Sequence, residues 1–376
     1  MPKNKLKIAV IFGGRSAEHE VSLVSAASVI KNLDKSKYEV ISIGITKEGK
    51  WLSSVDTLKL LKAGNKGNHE VEKILIPDPS QRSLIKVNGQ HFATHKSKTK
   101  IDIIFPILHG PSGEDGTIQG LLELADIPYI GAGVLGSAVG MDKIVQKDIL
   151  RQRGLPVVDY VYFLKREWLT NREALIKVIN KKISYPLFVK PANMGSSVGI
   201  TKVHNQKTLA PAIKLAMDYD RKILVEKAVE PNRDIEVSVL GNDNPKASVP
   251  GEIISSNEFY DYDAKYVDGN SKAIIPAPLP DKLTQEIQRL AVETFKALDC
   301  SGMARVDFLL KGSKVWINEL NTIPGFTSIS MYPKLWEASG LPYPKLLDKL
   351  IRLAIERHRE KSQLKTSYRP KKNWYK

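Results

Sequence analysis

Two strand-like runs near the C-terminus, Met-Ala-Arg-Val-Asp-Phe-Leu-Leu (303–310) and Val-Trp-Ile-Asn-Glu-Leu-Asn (315–321), restrict this chain more than any other segment. Lys311-Gly-Ser-Lys314 between them carries hairpin turn chemistry. Side chains alternate along a strand, so Arg305 and Asp307 share one face and Glu319 and Asn321 share another. A three-residue loop centred on Ser313 sets Asp307 opposite Glu319 and Arg305 opposite Asn321. Asp307, Glu319 and Asn321 then converge as hard oxygen donors, a set suited to Mg²⁺ bound together with substrate phosphates. The carboxylates alone would equally suit the solvated face of an ordinary hairpin. The next residues weigh against that reading, because Asn321 leads directly into Thr-Ile-Pro-Gly-Phe-Thr-Ser (322–328). A Pro-Gly turn there presents backbone N–H groups beside the donor face, where they can hold developing negative charge. The pattern points to an enzyme that handles phosphates.

At 376 residues the chain can build two or three domains with sizeable cores. No apolar run is long enough to span a bilayer, and the stretch after Lys7 reads as a short strand ending in Gly13-Gly14, not as a signal peptide. Cys300 is the only cysteine, which rules out an intrachain disulfide, fits a reducing cytoplasm and suggests a packed thiol. The net charge of +16 invites a nucleic-acid reading, but the cations are dispersed and no RNA- or DNA-binding motif accompanies them. Neither a nucleic-acid nor a membrane partner is expected. The densest basic stretch, Arg357 to Lys376, reads as a solvated or frayed tail.

A strand at 7–12, a helix at 22–33 and a strand at 38–45 make a β-α-β start typical of parallel sheets. Residues 64–100 are polar and irregular, with an Asn88-Gly89 hairpin signal, and are expected to be variable loops. A strand at 101–108, a helix at 117–125 and a short strand at 128–130 close a first unit. A helix at 143–153 opens a second, with strands near 160–163, 187–190, 199–203 and 223–226. Long strands at 235–240 and 246–254 and helices at 282–298 and 343–358 follow. The expected class is α/β, becoming α+β in the C-terminal part, with domains at 1–142, 143–235 and 236–376.

Gly195-Ser-Ser-Val-Gly199 follows a strand ending in Lys190-Pro191. Its glycines, with the Ser196 and Ser197 hydroxyls, allow close approach to phosphate oxygens, and Lys190 adds a point charge; a plain Ser/Gly turn is the alternative. The Walker A spacing is absent. Gly131-Ala-Gly133-Val-Leu-Gly136 matches the dinucleotide fingerprint, but its strand is short, contains Pro128 and comes late, so tight packing is the preferred reading over a dehydrogenase. Glu18, after Gly13-Gly14 at the end of the first strand, suits an ammonium group or a helix start. His109, in the glycine-rich loop 108–116, is the one histidine singled out; His358 is expected at the surface and His19 in a local structural role.

These segments resemble the D-alanine–D-alanine ligases of the ATP-grasp superfamily. The likeness runs from about Ile8 to Leu350, through 12–22, 108–120, Met141-Asp-Lys143, 190–199, Glu226-Lys227, Phe259-Tyr-Asp-Tyr-Asp-Ala-Lys-Tyr266 and 305–330. It implies a three-domain ATP-grasp fold with an N-terminal parallel-sheet domain, and ATP between the second and third domains. It implies phosphate contacts from Lys143, Lys190 and Ser197, adenine reading by Glu226, Lys227 and Val229, and a ribose contact from Glu236. Two Mg²⁺ ions, with Mn²⁺ as a substitute, would be held by Asp307, Glu319 and Asn321. Glu18 would engage the first D-alanine's ammonium, with His109 near its carboxylate and Ser196 and Tyr266 as partners of Glu18. Arg305 and the Gly325 N–H would form an oxyanion site, and Ser330 with Met331 the second carboxylate pocket. The implied activity is ATP-dependent joining of two D-alanines through an acyl phosphate for peptidoglycan precursors, by a cytoplasmic homodimer. Ligation of D-lactate or D-serine is the alternative, and the tyrosine at 266 favours D-alanine over D-lactate.

Overall fold

The computed structural model describes residues 5–54, 57–62, 73–88, 91–92, 99–255 and 271–368. Strand Leu6–Gly13 is a continuous apolar run because both of its faces are covered. Ile8, Val10 and Phe12 enter one core, while Ala9 and Ile11 enter another. It pairs in parallel with Tyr38–Ile45 on one side and Ile103–Ile107 on the other, with Trp51–Leu52 antiparallel at the edge. The loops after Gly13 and Ile107 therefore leave the same end of the sheet, where open α/β sheets form their ligand crevice. The expected strand at 128–130 is a single parallel bridge between Ile104 and Tyr129.

The stretch expected to be loops instead contains a small antiparallel sheet, Lys73–Leu75, Ser83–Asn88, His91–Phe92 and Thr99–Lys100. Its strands are too short for their alternation to stand out against a polar background. Asn88 pairs with His91, as the hairpin signal required, although Gly89 lies outside the described residues.

The second sheet is antiparallel, ordered Thr201–Val203, Leu187–Pro191, Lys222–Lys227, Tyr160–Leu164. Leu187, Val189, Ile223 and Val225 pack against helices Lys165–Lys182 and Gln206–Met217. Period-2 alternation then turns Phe188, Lys190 and Glu226 to the opposite face. The third sheet runs Lys272–Ile274, Gly251–Ile254, Arg233–Gly241, Gly302–Lys311, Lys314–Asn321. Its Ile235, Val237, Ala304 and Val306 pack on helix Asp281–Ala297, leaving Glu236, Ser238, Arg305 and Asp307 on the other face. The single long strand expected at 246–254 breaks into Lys246–Ala247 and Gly251–Ile254. Pro250 precedes the second piece and cannot donate to a ladder.

Helix Tyr343–Ser362 packs Leu346, Leu350 and Ile351 into the same core as Phe12 and Ile103, tying the chain's end to its first sheet. The basic tail is therefore not frayed from Arg357. The Arg357 guanidinium donates to Tyr129 O at 3.1 Å and to Gly131 O and Ser301 Oγ, and stacks 4.5 Å over the Tyr129 ring. His358, expected at the surface, sits 2.9 Å from Asp126. Two of the fingerprint-like glycines, Gly131 and Gly136, are packing residues. A Cβ on Gly136 would lie 2.5 Å from Asp299 O, and Gly131 abuts Gly302. Cys300 is buried, which pushes its thiol pKa up. No helix among the described residues is long and apolar enough to cross a membrane.

Candidate active site

The hairpin has the expected pairing at its functional end, with Asp307 opposite Glu319 and Arg305 opposite Asn321. The route to that register differs from the expected one. Lys311 pairs with Lys314, so the loop is only Gly312-Ser313, with Gly312 at φ +61°. A bulge at Asn318 then supplies the missing residue, since Phe308 pairs with Ile317 and Asp307 with Glu319. Ile317 and Leu320 are consequently both buried although three positions apart. The neighbouring strand extends the pattern into two cross-strand rows, Glu236–Asp307–Glu319 and Ser238–Arg305–Asn321.

Two clefts meet over these rows. The first, about 390 Å³, lies between the second and third sheets. Phe188, Ile200, Val229 and Leu309 give it apolar surface, and Lys143, Lys190, Ser197, Asp307 and Glu319 supply charge and hydroxyl groups. Lys190 pairs with the buried Glu226, and Lys147 approaches the same carboxylate at 3.2 Å. Burial alone would raise the Glu226 pKa, but the two ammonium groups outweigh it and hold the value below the ordinary one. Lys143 starts helix Lys143–Gln152, capped by Asp142, and reaches both Met194 O at 2.8 Å and Glu319 Oε2 at 3.2 Å. Burial opposes its charge, and Glu319 more than compensates, so its pKa is raised. Ser196 and Ser197 hold φ of +47° and +60°, two consecutive left-handed residues without glycine's freedom. Such strain, of order 1–3 kcal/mol per residue, gathers where a ligand is gripped.

The second cleft, about 290 Å³, is bounded by Glu18, His109, Glu114, Arg305, Asn321, Gly325, Ser330 and Met331, among others. Glu18 is buried at the start of helix His19–Asn32 and accepts from Ser196 Oγ, which joins the first sheet's loop to the 195–199 loop. Gly195 and Gly110 leave room for it, since a Cβ on either would stand 2.4 or 2.7 Å from Glu18 Oε2. His109 Nδ1 donates to Ile323 O at 3.1 Å and its Nε2 meets Ser25 Oγ at 3.1 Å, which ties the ring to the residue that precedes Pro324-Gly325. Burial disfavours the imidazolium, but Glu114 and Glu18 win, so the His109 pKa is raised; burial raises that of Glu114. Arg305 forks onto Asp307 with two 2.7 Å bonds and lies 3.0 Å from Glu236, while Asn321 donates to Asp307 at 3.0 Å. Ser330 Oγ accepts from Thr327 N at 3.0 Å.

A family model described as D-ala D-ala ligase N-terminus matches residues 7–132, and one described as D-ala D-ala ligase C-terminus matches residues 149–352. The chain belongs to the D-alanine–D-alanine ligase family. The D-alanine–D-alanine ligase of Natranaerobius thermophilus is 52% identical over 368 residues, covering 97% of this chain and 99% of the relative. Among solved structures, the D-alanine–D-alanine ligase from Coxiella burnetii aligns with TM-score 0.80 at 38% identity, covering 95% of this chain and 96% of that one. The VanG D-Ala:D-Ser ligase from Enterococcus faecalis aligns with TM-score 0.82 at 38% identity, covering 93% and 100%.

Most residues singled out in this ligase's sequence come together on the two clefts. Lys227 does not, because its side chain is exposed and only its backbone follows Glu226 along the strand. Glu236 lies beside Arg305 in the row with Asp307 and Glu319, and Asp234, two positions back on the same strand face, lines the first cleft alone. Tyr266 lies outside the described residues. Sequence reasoning missed Glu114, Gln146 and Lys147. The last two follow Lys143 at i+3 and i+4, a spacing that could have flagged them.

Proposed function

We propose that this ligase uses ATP to join two D-alanines into D-alanyl-D-alanine, through an acyl phosphate, for peptidoglycan precursors. The observation that carries the reading is the shared wall: Ser196, Glu236 and Glu319 line both clefts. A phosphoryl donor in the first cleft and an amino acid in the second would meet there. The chemistry of the first cleft fits ATP, with apolar surface for a base, an ionised Glu226 to accept from an amino group, and two lysines for phosphates. Asp234, which lines the first cleft and not the second, is the better placed ribose acid. The donor set fits Mg²⁺ or Mn²⁺ as well. Asp307, Glu319 and Asn321 offer hard oxygens, and their charge is matched here by Arg305 and Lys143. Such ions would offset phosphate charge.

Glu18 anchors the first D-alanine's ammonium and His109 faces its carboxylate. Lys143, Lys190 and Ser197 orient the phosphates. The second D-alanine, held through its carboxylate by Ser330 Oγ and the Met331 N–H, attacks the activated carbonyl with its amine. Arg305 and the Gly325 N–H receive the oxyanion, and phosphate leaves. Residues 193–199, tied to Glu18 through the Ser196 hydroxyl, close over the site and keep water from the acyl phosphate; the rest of the expected lid, including Tyr266, lies outside the described residues. A cytoplasmic homodimer completes the reading. Phosphate release and product analysis with D-alanine alone, then with D-lactate and D-serine added, test it. Dependence of phosphate release on D-lactate or D-serine would overturn the D-alanine assignment.

A further inference from the structure

Strand Lys314–Asn321 ends its sheet, so its outer edge would leave backbone groups unpaired beside Glu319. One face of helix Lys143–Gln152 closes that edge. Lys143, Gln146 and Lys147 stand at i, i+3 and i+4 and project together. Gln146 Nε2 donates to Leu320 O at 3.2 Å, and Gln146 Oε1 accepts from Leu320 N at 3.0 Å. A side-chain amide thus takes the place of a neighbouring strand. Lys147 Nζ donates to the carbonyl of the bulged Asn318 at 2.9 Å and lies 3.2 Å from Glu226 Oε2 across the cleft. Gln146 and Lys147 are 0% and 1% exposed. A buried ammonium is retained only where its partners are well placed, and here those partners belong to opposite walls of the nucleotide cleft. Lys143 touches Glu319 itself, so the same helix face grips residues 318, 319 and 320 in succession.

We propose that Gln146 and Lys147 are positioning residues for Glu319. Gln146 and Lys147 hold the bulged segment in the register that aims this carboxylate into the cleft, and Lys147 fixes that segment's distance to Glu226. Neither touches the reacting atoms. An apolar pair would fill the same volume but would leave the amide and carbonyl of Leu320 and the carbonyl of Asn318 without these partners. The inference rests on the reading that Glu319 helps hold the divalent ion with ATP, and its test separates the two.

The test is an equilibrium titration of the full chain with Mg²⁺, in the presence of a fluorescent ATP analogue and without D-alanine, beside steady-state kinetics for each substrate. Lys147→Met should need about 10- to 100-fold more Mg²⁺ for half-maximal analogue binding, as when the partner of a metal ligand is removed. Its KM for D-alanine should stay within about twofold of wild type. Gln146→Met should show the same Mg²⁺ defect without disturbing Glu226, and it carries the test if Lys147→Met does not fold. Wild-type Mg²⁺ dependence in either folded variant would overturn the proposal. So would a loss spread equally over ATP and D-alanine, which is the mark of general loosening. If the wild-type chain itself binds no nucleotide with Mg²⁺, the ATP reading falls with it.

Discussion

Replacing Gly195 by alanine tests the junction between the two clefts with a single methyl group. The added Cβ would stand 2.4 Å from Glu18 Oε2, whereas ordinary contact begins at 3.4 Å, a shortfall of about 1 Å. Gly195 is not among the left-handed glycines, so alanine imposes no backbone penalty there. Glu18 cannot retreat freely, because it is buried and Gly110 packs so closely on the same oxygen that a Cβ there would stand 2.7 Å from it. The 195–199 loop must therefore back away, drawing Ser196 from Glu18. A displacement of roughly 1 Å at a substrate-positioning group can cost about 100-fold in rate, or about 2.7 kcal/mol of transition-state stabilisation. ADP release followed against D-alanine concentration should show kcat/KM lowered by about that factor. Equilibrium binding of an ATP analogue should change by less than about threefold, and the unfolding midpoint should move little, because a loop can relax. A variant with kcat/KM within about threefold of wild type would show that loop closure on Glu18 does not organise the substrate.

Asp307→Ala and Glu319→Ala should each abolish ATP-dependent phosphate release while the circular-dichroism spectrum stays native; turnover at the wild-type rate in either would mean the donor set is misassigned. His109 gives a pH dependence of known sign. Its folded-state pKa is raised, so its contribution to stability is full below the unfolded value of about 6.5 and fades as pH climbs through the folded one. Urea titrations should therefore show the gap between wild type and His109→Gln narrowing with rising pH, and a gap that widens would refute the assignment. Arg357→Met should destabilise the chain by about 2–3 kcal/mol through lost charged hydrogen bonds and ring stacking. Because neither Arg357 nor its partners line the two clefts, the KM values should be unchanged, and an altered KM for either substrate would tie Arg357 to the site.

The residue types at the site were legible because chemistry restricts them: few functions need Asp, Glu and Asn on paired strands beside a Pro-Gly turn. Their register was predicted correctly from an incorrect loop. Period-2 reasoning fitted one uniform ladder, whereas the chain uses a tighter turn and then a bulge, and a bulge changes no residue type. The small sheet within residues 73–100 was hidden because its strands are short and half polar. Arg357 was misread for a related reason. A cation in a basic tail looks solvated until the carbonyls of Tyr129 and Gly131 are brought to it from more than 200 residues away. Helix Met331–Ala338 was not anticipated either; its eight residues include Pro333, and tertiary contacts such as Ser238 Oγ to Tyr332 O help hold it.

The bulge at Asn318 divides the hairpin into two lengths with opposite phase. On the turn side, the two-residue loop and the buried Ile317 decide which way side chains point. On the other side, Leu320 is inward and the Gln146 amide sets the count. The hairpin is thus a ruler read from its far end. A one-residue change near Gly312-Ser313 can be taken up before it reaches Glu319, while the same change beyond Asn318 would turn the carboxylate into the core. The chain has placed its freedom to vary at the tip and its intolerance at the end that does the chemistry.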